Sequence, residues 1–315
     1  MTLEPLVLGL DLGGTKSAAS LLTVSGDVRF RVQTPTLAHG GTNAVIATLL
    51  ALANDALSHA PHGVIGCGIS AGAPADGLRG VVFPAPNLPA FDAGGTPLSA
   101  IIADALGVPT FLENDADATA LAEHRFGAGV GTNTMAFLTV GTGVGAGLIL
   151  DGKLHRGAFG AGGEIGHVCV DTSGNARLCN CGLRGCVEAY ASGVSLTKIA
   201  VENGFTGNAN GASVTEAARN GNVAALAAFA IAGDKLGRGL ATLAMLVNPE
   251  RIVLGTLAVH AGDLLLAPTR VAFQKHAWDR LTETVSIVPA ALGDRAQDLA
   301  ALCAFLQNGG HSTLR

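Results

Sequence analysis

The chain has 315 residues, six of them cysteine, with 24 acidic and 19 basic side chains and a formal net charge of −5. That length allows two domains, or one large α/β domain, with sizeable cores. The charge balance, with no Lys/Arg run, argues against a nucleic-acid surface.

The N-terminus carries Glu4, Pro5 and Asp11, where a signal peptide would need a basic start and an unbroken apolar run. A reduced, cytoplasmic setting is therefore expected, and it suits thiolate ligands better than disulfides. Leu6 to Val24 reads as an apolar strand, a Gly/Thr-rich turn, a second apolar strand and then a polar turn, Ser25-Gly26-Asp27. In the first turn, Asp11-Leu12-Gly13-Gly14-Thr15-Lys16, the glycines let the backbone approach an anion. The exposed N–H groups and the Thr15 hydroxyl then bind phosphate oxygens. Asp11, at the end of a strand, can orient the water around a Mg²⁺ ion, which keeps most of its own waters.

Thr42 to His59 has the periodicity of a helix and Gly63 to Ser70 that of a strand. Val108 to Leu112 forms a strand that runs into Glu113-Asn114-Asp115 and a helix, Ala116 to Phe126. Asp115 has two readings. It can serve as an N-cap, or as an acid that accepts a hydroxyl proton. The helix dipole should keep it ionised and a weak base, which phosphoryl transfer tolerates. The domain boundary is placed here: residues 1–113 with about 296–315 as a smaller N-terminal domain, and 114–295 as a larger C-terminal one.

Gly127 to Leu150 is uncharged and long enough to span a bilayer. Gly141, Gly143, Gly145 and Gly147 interrupt it, so two buried strands around a glycine turn explain it better. Met135 to Leu150 thus repeats the strand–turn–strand pattern of Leu6 to Val24, and also ends in a polar turn, Asp151-Gly152. The repeat suggests two related halves with a cleft between them. Gly141-Thr142-Gly143 offers a second phosphate clasp. Neither turn has the Walker spacing or opens a helix as G-x-G-x-x-G. Either alone reads equally well as a tight hairpin; together, with an acid in the first, they favour a nucleotide held between two lobes.

Cys179, Cys181 and Cys186 form a C-x-C-x4-C cluster with His167 a short loop upstream. Three thiolates and an imidazole are the ligand set of a closed, structural, tetrahedral zinc site. Cys179 and Cys181 are too close for easy bridging as a disulfide. Glu164 and Glu188 bracket the cluster without being needed by the metal. Val223 to Leu246 reads as a helix, Arg251 to Gly255 as a strand, and about Ala296 to Gln307 as a final helix packing back on the first domain. Strands and helices mixed in this way give an α/β class.

These motifs together resemble the ROK family (repressors, open reading frames and kinases), within the actin-like, hexokinase-type ATPase superfamily. Asp11 to Lys16 matches its DLGGTK phosphate turn. Glu113 to Asp115 with Ala116 to Glu123 resembles END-x-x-x-x-A-x-x-E, whose Asp is the catalytic base. Gly141 to Gly147 resembles the second phosphate loop, GEIGH at Gly163 to His167 the sugar-binding E-x-G-H, and Cys179 to Glu188 the zinc signature. The resemblance implies two actin-like (ribonuclease H-like) domains with an interdomain cleft and a zinc-stabilised loop. It implies that Asn114, Asp115, Glu164, His167 and Glu188 hydrogen-bond sugar hydroxyls, with Asn87 and Gly72 lining the sugar cleft. His167 would place one ring nitrogen on zinc and the other toward the sugar. The adenosine-side motif, NPE-x-I-V-L-G-G-G in the family, here runs Asn248 to Gly255 and continues Thr256-Leu257, so only Gly255 of its three glycines remains.

The function so implied is an ATP- and Mg²⁺-dependent hexose kinase acting on a primary hydroxyl, glucose first, with a homo-oligomer, dimer first, as the assembly. An N-acetylmannosamine or N-acetylglucosamine kinase is the alternative, and polyphosphate an alternative donor. A sugar-sensing repressor would carry a helix-turn-helix region ahead of the DLGGTK-like strand, and only a few residues stand there.

Overall fold

The computed structural model describes residues 4–308. The chain forms two compact units. The first runs up to Phe126 and takes in Arg156–Gly160 and the chain from Leu292; the second comprises Gly127–His155 and Ala161–Ala291.

In the first unit the strands are Leu6–Leu12 (β1), Lys16–Thr23 (β2), Val28–Pro35 (β3), Cys67–Ala71 (β4) and Thr110–Asn114 (β7). They form one sheet in the order β3-β2-β1-β4-β7. A short hairpin, Ala75–Asp76 (β5) with Val81–Val82 (β6), stands apart from it. β1 and β2 are antiparallel, while β1-β4 and β4-β7 are parallel. β4, CGISA, is buried throughout, as a central parallel strand covered on both faces must be. The helix Thr42–Ser58 (α1) buries Val45, Leu49, Leu52, Ala53 and Ala56, a single stripe at helical spacing. The C-terminal helix, Ala296–Asn308, is buried continuously from Asp298 to Leu306. It lies so close to β4 that a Cβ on Gly68 would come 1.9 Å from the carbonyl oxygen of Ala301. The remaining helices here are Leu98–Leu106 (α2) and Asp115–Phe126 (α3). α3 packs on the C-terminal helix, so this unit extends to Phe126, past the Glu113 boundary expected from the sequence.

The second unit has Met135–Val140 (β8), Val144–Leu150 (β9), Lys153–Leu154 (β10), Arg251–Leu254 (β11) and Ser286–Pro289 (β12), in the order β10-β9-β8-β11-β12. Here too an antiparallel hairpin, β8-β9, is followed by two parallel pairings, β8-β11 and β11-β12. The two units therefore share one topology, as the repeated strand–turn–strand pattern suggested. Its helices are Glu188–Ala191 (α4), Gly193–Glu202 (α5), Gly211–Arg219 (α6), Val223–Val247 (α7), Leu257–Ala261 (α8), Asp263–His276 (α9) and Asp279–Thr284 (α10). α7 starts on an Asn222 side chain that accepts from Ala225 N and stops at Asn248 in the left-handed region, φ 49°. Its Gly237 lets α9 approach closely: a Cβ there would sit 2.4 Å from Thr269 O. The uncharged stretch from Gly127 is the approach to β8 and the β8-β9 hairpin. Among the described residues no helix is long and apolar enough to cross a membrane.

Candidate active site

In the first unit the turn between β1 and β2 is closed by Gly13 N donating to Lys16 O at 3.0 Å, and the Thr36 hydroxyl donates to Gly13 O at 2.7 Å. Asp11, Gly13, Gly14, Thr15 and Lys16 thus lie on one hairpin. A Cβ on Gly14 would lie 2.8 Å from Asn87, so only glycine lets the turn and Asn87 meet. Asn87 Nδ2 donates to Gly72 O at 3.3 Å, and Gly72 N donates to Leu12 O at 2.8 Å. A Cβ on Gly72 would lie 3.6 Å from Asp115 Oδ2 and 3.7 Å from Gly13 Cα. Five of the expected positions, Gly13, Gly14, Gly72, Asn87 and Asp115, are therefore immediate neighbours.

The helix cap at this point is Asn114. Its Oδ1 accepts from Ala116 N at 2.9 Å, while its Nδ2 donates to Ala73 O at 3.0 Å. α3 starts at Asp115 itself. Asp115 is therefore relieved of the N-cap role, which Asn114 fills. Nor is it the weak base that the helix dipole suggested. Desolvation of its carboxyl raises it to about 6, although Asp115 as a residue is exposed; hydrogen bonds from Ala116, its own backbone and Asn114 only partly offset this. Asp11 rises further, to about 7, through burial first, then the carboxylates of Asp115 and Asp298, with Arg31 opposing. An acid held beside other acids in a low-dielectric setting is a donor set that a divalent cation would relieve.

Three residues that the sequence reading did not select support this site. Glu113, one residue before Asn114, is 1% exposed and paired with Arg156, which is 14% exposed. Arg156 Nε donates to Glu113 Oε2 at 3.2 Å, and Asn308 Nδ2 donates to Glu113 Oε1 at 2.7 Å. Their separations along the chain hide these partners from any local pattern.

In the second unit the turn after β8 is closed by Gly141 N donating to Gly143 O at 2.9 Å. Glu188, at the start of α4, lies against it: Val144 N donates to Glu188 Oε2 at 3.0 Å, and a Cβ on Gly143 would come within 2.6 Å of that oxygen. Gly166 of the GEIGH turn sits where a Cβ would come 2.1 Å from Val144 O, which draws Glu164 and His167 in beside β9. Glu164 Oε2 is 3.8 Å from His167 Nε2. Thr142 is exposed at the tip of its turn. Gly255 N donates to Leu138 O at 2.8 Å, which holds it at the end of β8.

The metal-ligand set is brought together as expected. One donor atom from each of His167, Cys179, Cys181 and Cys186 lies within 4.8 Å of the others. Cys181 and Cys186 sulfurs are 3.7 Å apart, and Cys179 Sγ is 3.7 Å from His167 Nδ1. A tetrahedron with Zn–S of about 2.3 Å and Zn–N of about 2.0 Å has edges of about 3.5–3.8 Å. A disulfide needs about 2.05 Å, so these thiols are not bridged. Nδ1 faces the sulfurs, leaving Nε2 on the side of Glu164. The cluster thus fits a tetrahedral metal with one imidazole edge left for another partner.

The family model for the ROK family matches residues 7–307. The chain belongs to the ROK family. A glucokinase from Streptomyces coelicolor is 32% identical over 92% of this chain and 94% of its own. The ROK hexokinase structure from Thermus thermophilus is similar with a TM-score of 0.81, 36% identity, and coverage of 96% of this chain and 98% of that one. A ROK family glucokinase from Streptomyces griseus, in complex with glucose and AMPPNP, has a TM-score of 0.77 and 33% identity, covering 94% and 98%. Xylose repressors are also among the relatives. The fold is accordingly the α/β ROK sugar kinase fold, like that of actin-like ATPases.

Proposed function

We propose that this ROK protein is a hexose kinase that transfers the γ-phosphoryl group of ATP to the primary hydroxyl of a hexose, glucose first, in the cytoplasm. The observation that carries this reading is the adjacency, through Gly72, of the first phosphate turn and an Asp115 freed from capping and raised to about 6. A carboxylate near 6 is ionised at neutral pH and basic enough to take a hydroxyl proton.

In this reading Asp115 accepts the hydroxyl proton as the sugar oxygen bonds to the γ-phosphorus and the bond to the ADP oxygen breaks. The transition state is loose, so positioning supplies most of the acceleration. The turns at Asp11 to Lys16 and Gly141 to Gly143, with Gly255, hold the donor. Bound Mg²⁺ would neutralise charge on the phosphates, with Asp11 ordering its waters. Asn114, Asp115, Glu164, His167 and Glu188 are the groups for sugar hydroxyls in this reading, with Asn87 and Gly72 next to Asp115. His167, Cys179, Cys181 and Cys186 hold a structural zinc whose role is to fix the imidazole for Nε2 to act on the sugar.

A site built from several hydrogen-bonding groups discriminates against a sugar that leaves them unpaired. We therefore expect kcat/KM on glucose to exceed that on N-acetylglucosamine, N-acetylmannosamine and fructose under saturating Mg-ATP. A higher value on an N-acetyl sugar would move the substrate and keep the kinase. Sugar binding with no phosphoryl transfer from ATP or polyphosphate would favour the regulator seen among the relatives.

A further inference from the structure

Among the described residues, three other than glycine hold a positive φ: Asp151 at 51°, Asn248 at 49° and Thr256 at 50°. Asp and Asn tolerate the left-handed region through local hydrogen bonding. Asp151 turns the chain after β9, and Asn248 ends α7. Thr256 is of another kind. It is β-branched, and its ψ of −105° lies outside even the left-handed helical region. Such geometry persists only where the surroundings impose it, and it gathers at ligand clamps.

The surroundings do impose it. Gly255 N is tied to Leu138 O at 2.8 Å, and Thr256 O accepts from Val259 N and His260 N, both at 3.1 Å. The side chain is held as well: Thr256 Oγ1 lies 3.0 Å from Thr139 Oγ1. The Thr256 methyl reaches over the second glycine turn, 3.7 Å from where a Cβ on Gly141 would be. β8 and β11 are parallel neighbours, so the turns that follow them leave the sheet at the same carboxyl edge, where open α/β sheets take their ligands. The hydroxyl pair is exposed there. Two hydroxyls carry two protons; the bond between them uses one, and the other remains to be donated to an acceptor.

We propose that Thr256, with Thr139, is a binding contact for the phosphate donor, its hydroxyl pair donating to a phosphate oxygen of a nucleoside triphosphate beside Gly141–Gly143. This rests on the kinase reading above. The strained backbone then has a use: it carries a hydroxyl to a place that a glycine would reach without strain but leave empty.

Thr256→Val keeps the branch and removes the hydroxyl. A hydrogen bond to a charged oxygen corresponds to about tenfold or more in affinity. Calorimetry with Mg-AMPPNP on the full chain should show Kd raised about tenfold, with glucose Kd changed less than twofold. Thr139→Val, on an unstrained strand, should weaken the analogue similarly and stands in if the first variant does not fold. Thr256→Gly should weaken it as well, while raising Tm of the ligand-free protein. Wild-type Mg-AMPPNP affinity in Thr256→Val or Thr139→Val would overturn the inference and leave the kinase reading intact. No binding of the analogue and no sugar turnover by the wild-type protein would overturn both.

Discussion

Replacing Arg156 by Met should expose how much of the Asp115 region depends on one buried ion pair. Glu113 is 1% exposed. Its Oε2 lies against backbone as well, since a Cβ on Gly77 would come within 2.4 Å of it. Losing the guanidinium removes its two hydrogen bonds to Glu113, from Nε at 3.2 Å and from Nη2, and the one Nη2 donates to Asn308 Oδ1 at 3.1 Å. Breaking a buried pair from one side costs about 3–5 kcal/mol, because a charge is left buried without a partner. Asn308 Nδ2 still donates to Glu113 Oε1 at 2.7 Å, so the lower end, about 3 kcal/mol, applies here. For a unit of this size that corresponds to a fall in Tm of about 6–12 °C. The assay is thermal unfolding followed by circular dichroism, run as a double-mutant cycle with Glu113→Gln. Arg156→Met with Glu113→Gln should recover more than half of the loss, since a neutral amide needs no counter-charge. A Tm within about 2 °C of wild type for Arg156→Met, with no coupling in the cycle, would refute this account of the pair.

Further outcomes follow from the same groups. Because Asp11 is raised to about 7 in the folded protein from an ordinary 3.8, the native state binds the extra proton. Its stabilising contribution is complete below about pH 4 and is lost as pH rises through about 7. Asp11→Asn should therefore stabilise the ligand-free protein at pH 8 by about 2 kcal/mol, discounted for partial exposure. The gain should vanish near pH 4 in a Tm–pH series. The acid limb of kcat/KM should fall below about pH 6 as Asp115 takes up its proton; a limb near 4 would contradict the burial effect. Cys181→Ser, or chelation, should lower Tm and weaken glucose binding together, with about one zinc per chain lost by metal analysis. Metal-free protein with unchanged Tm and activity would remove the zinc proposal.

What the sequence made legible was local. The two glycine-turn hairpins, the α1 stripe and the Cys/His cluster each depend on neighbours within a short stretch, where periodicity and spacing speak directly. The shared topology of the two sheets could be anticipated from the repeated hairpin alone. The cap is a finer matter. Asn114 and Asp115 are both good cap residues, and only the strand end, with Asn114 also donating to Ala73 O, decides between them. The Asp115 carboxyl moved opposite to expectation because dipole arguments are local and desolvation is not. The partners of Glu113 lie 43 and 195 positions away, and Thr139 meets Thr256 across 117. No local composition rule reaches that far. Thr256 did leave a trace, as a threonine where a glycine was expected, but its strain and its hydroxyl partner required the fold.

In the proposed reaction Asp115 takes a proton from a sugar hydroxyl during phosphoryl transfer from ATP. The most direct test of this role is a coupled assay of ADP formation with Mg-ATP and glucose, comparing wild type with Asp115→Asn, alongside calorimetric glucose binding. Wild type should release ADP only when sugar is present, matched by glucose 6-phosphate. The variant should show a kcat about 10²-fold lower or more, with glucose binding retained. Sugar-independent ADP release by wild type, or near wild-type turnover by Asp115→Asn, would contradict this role.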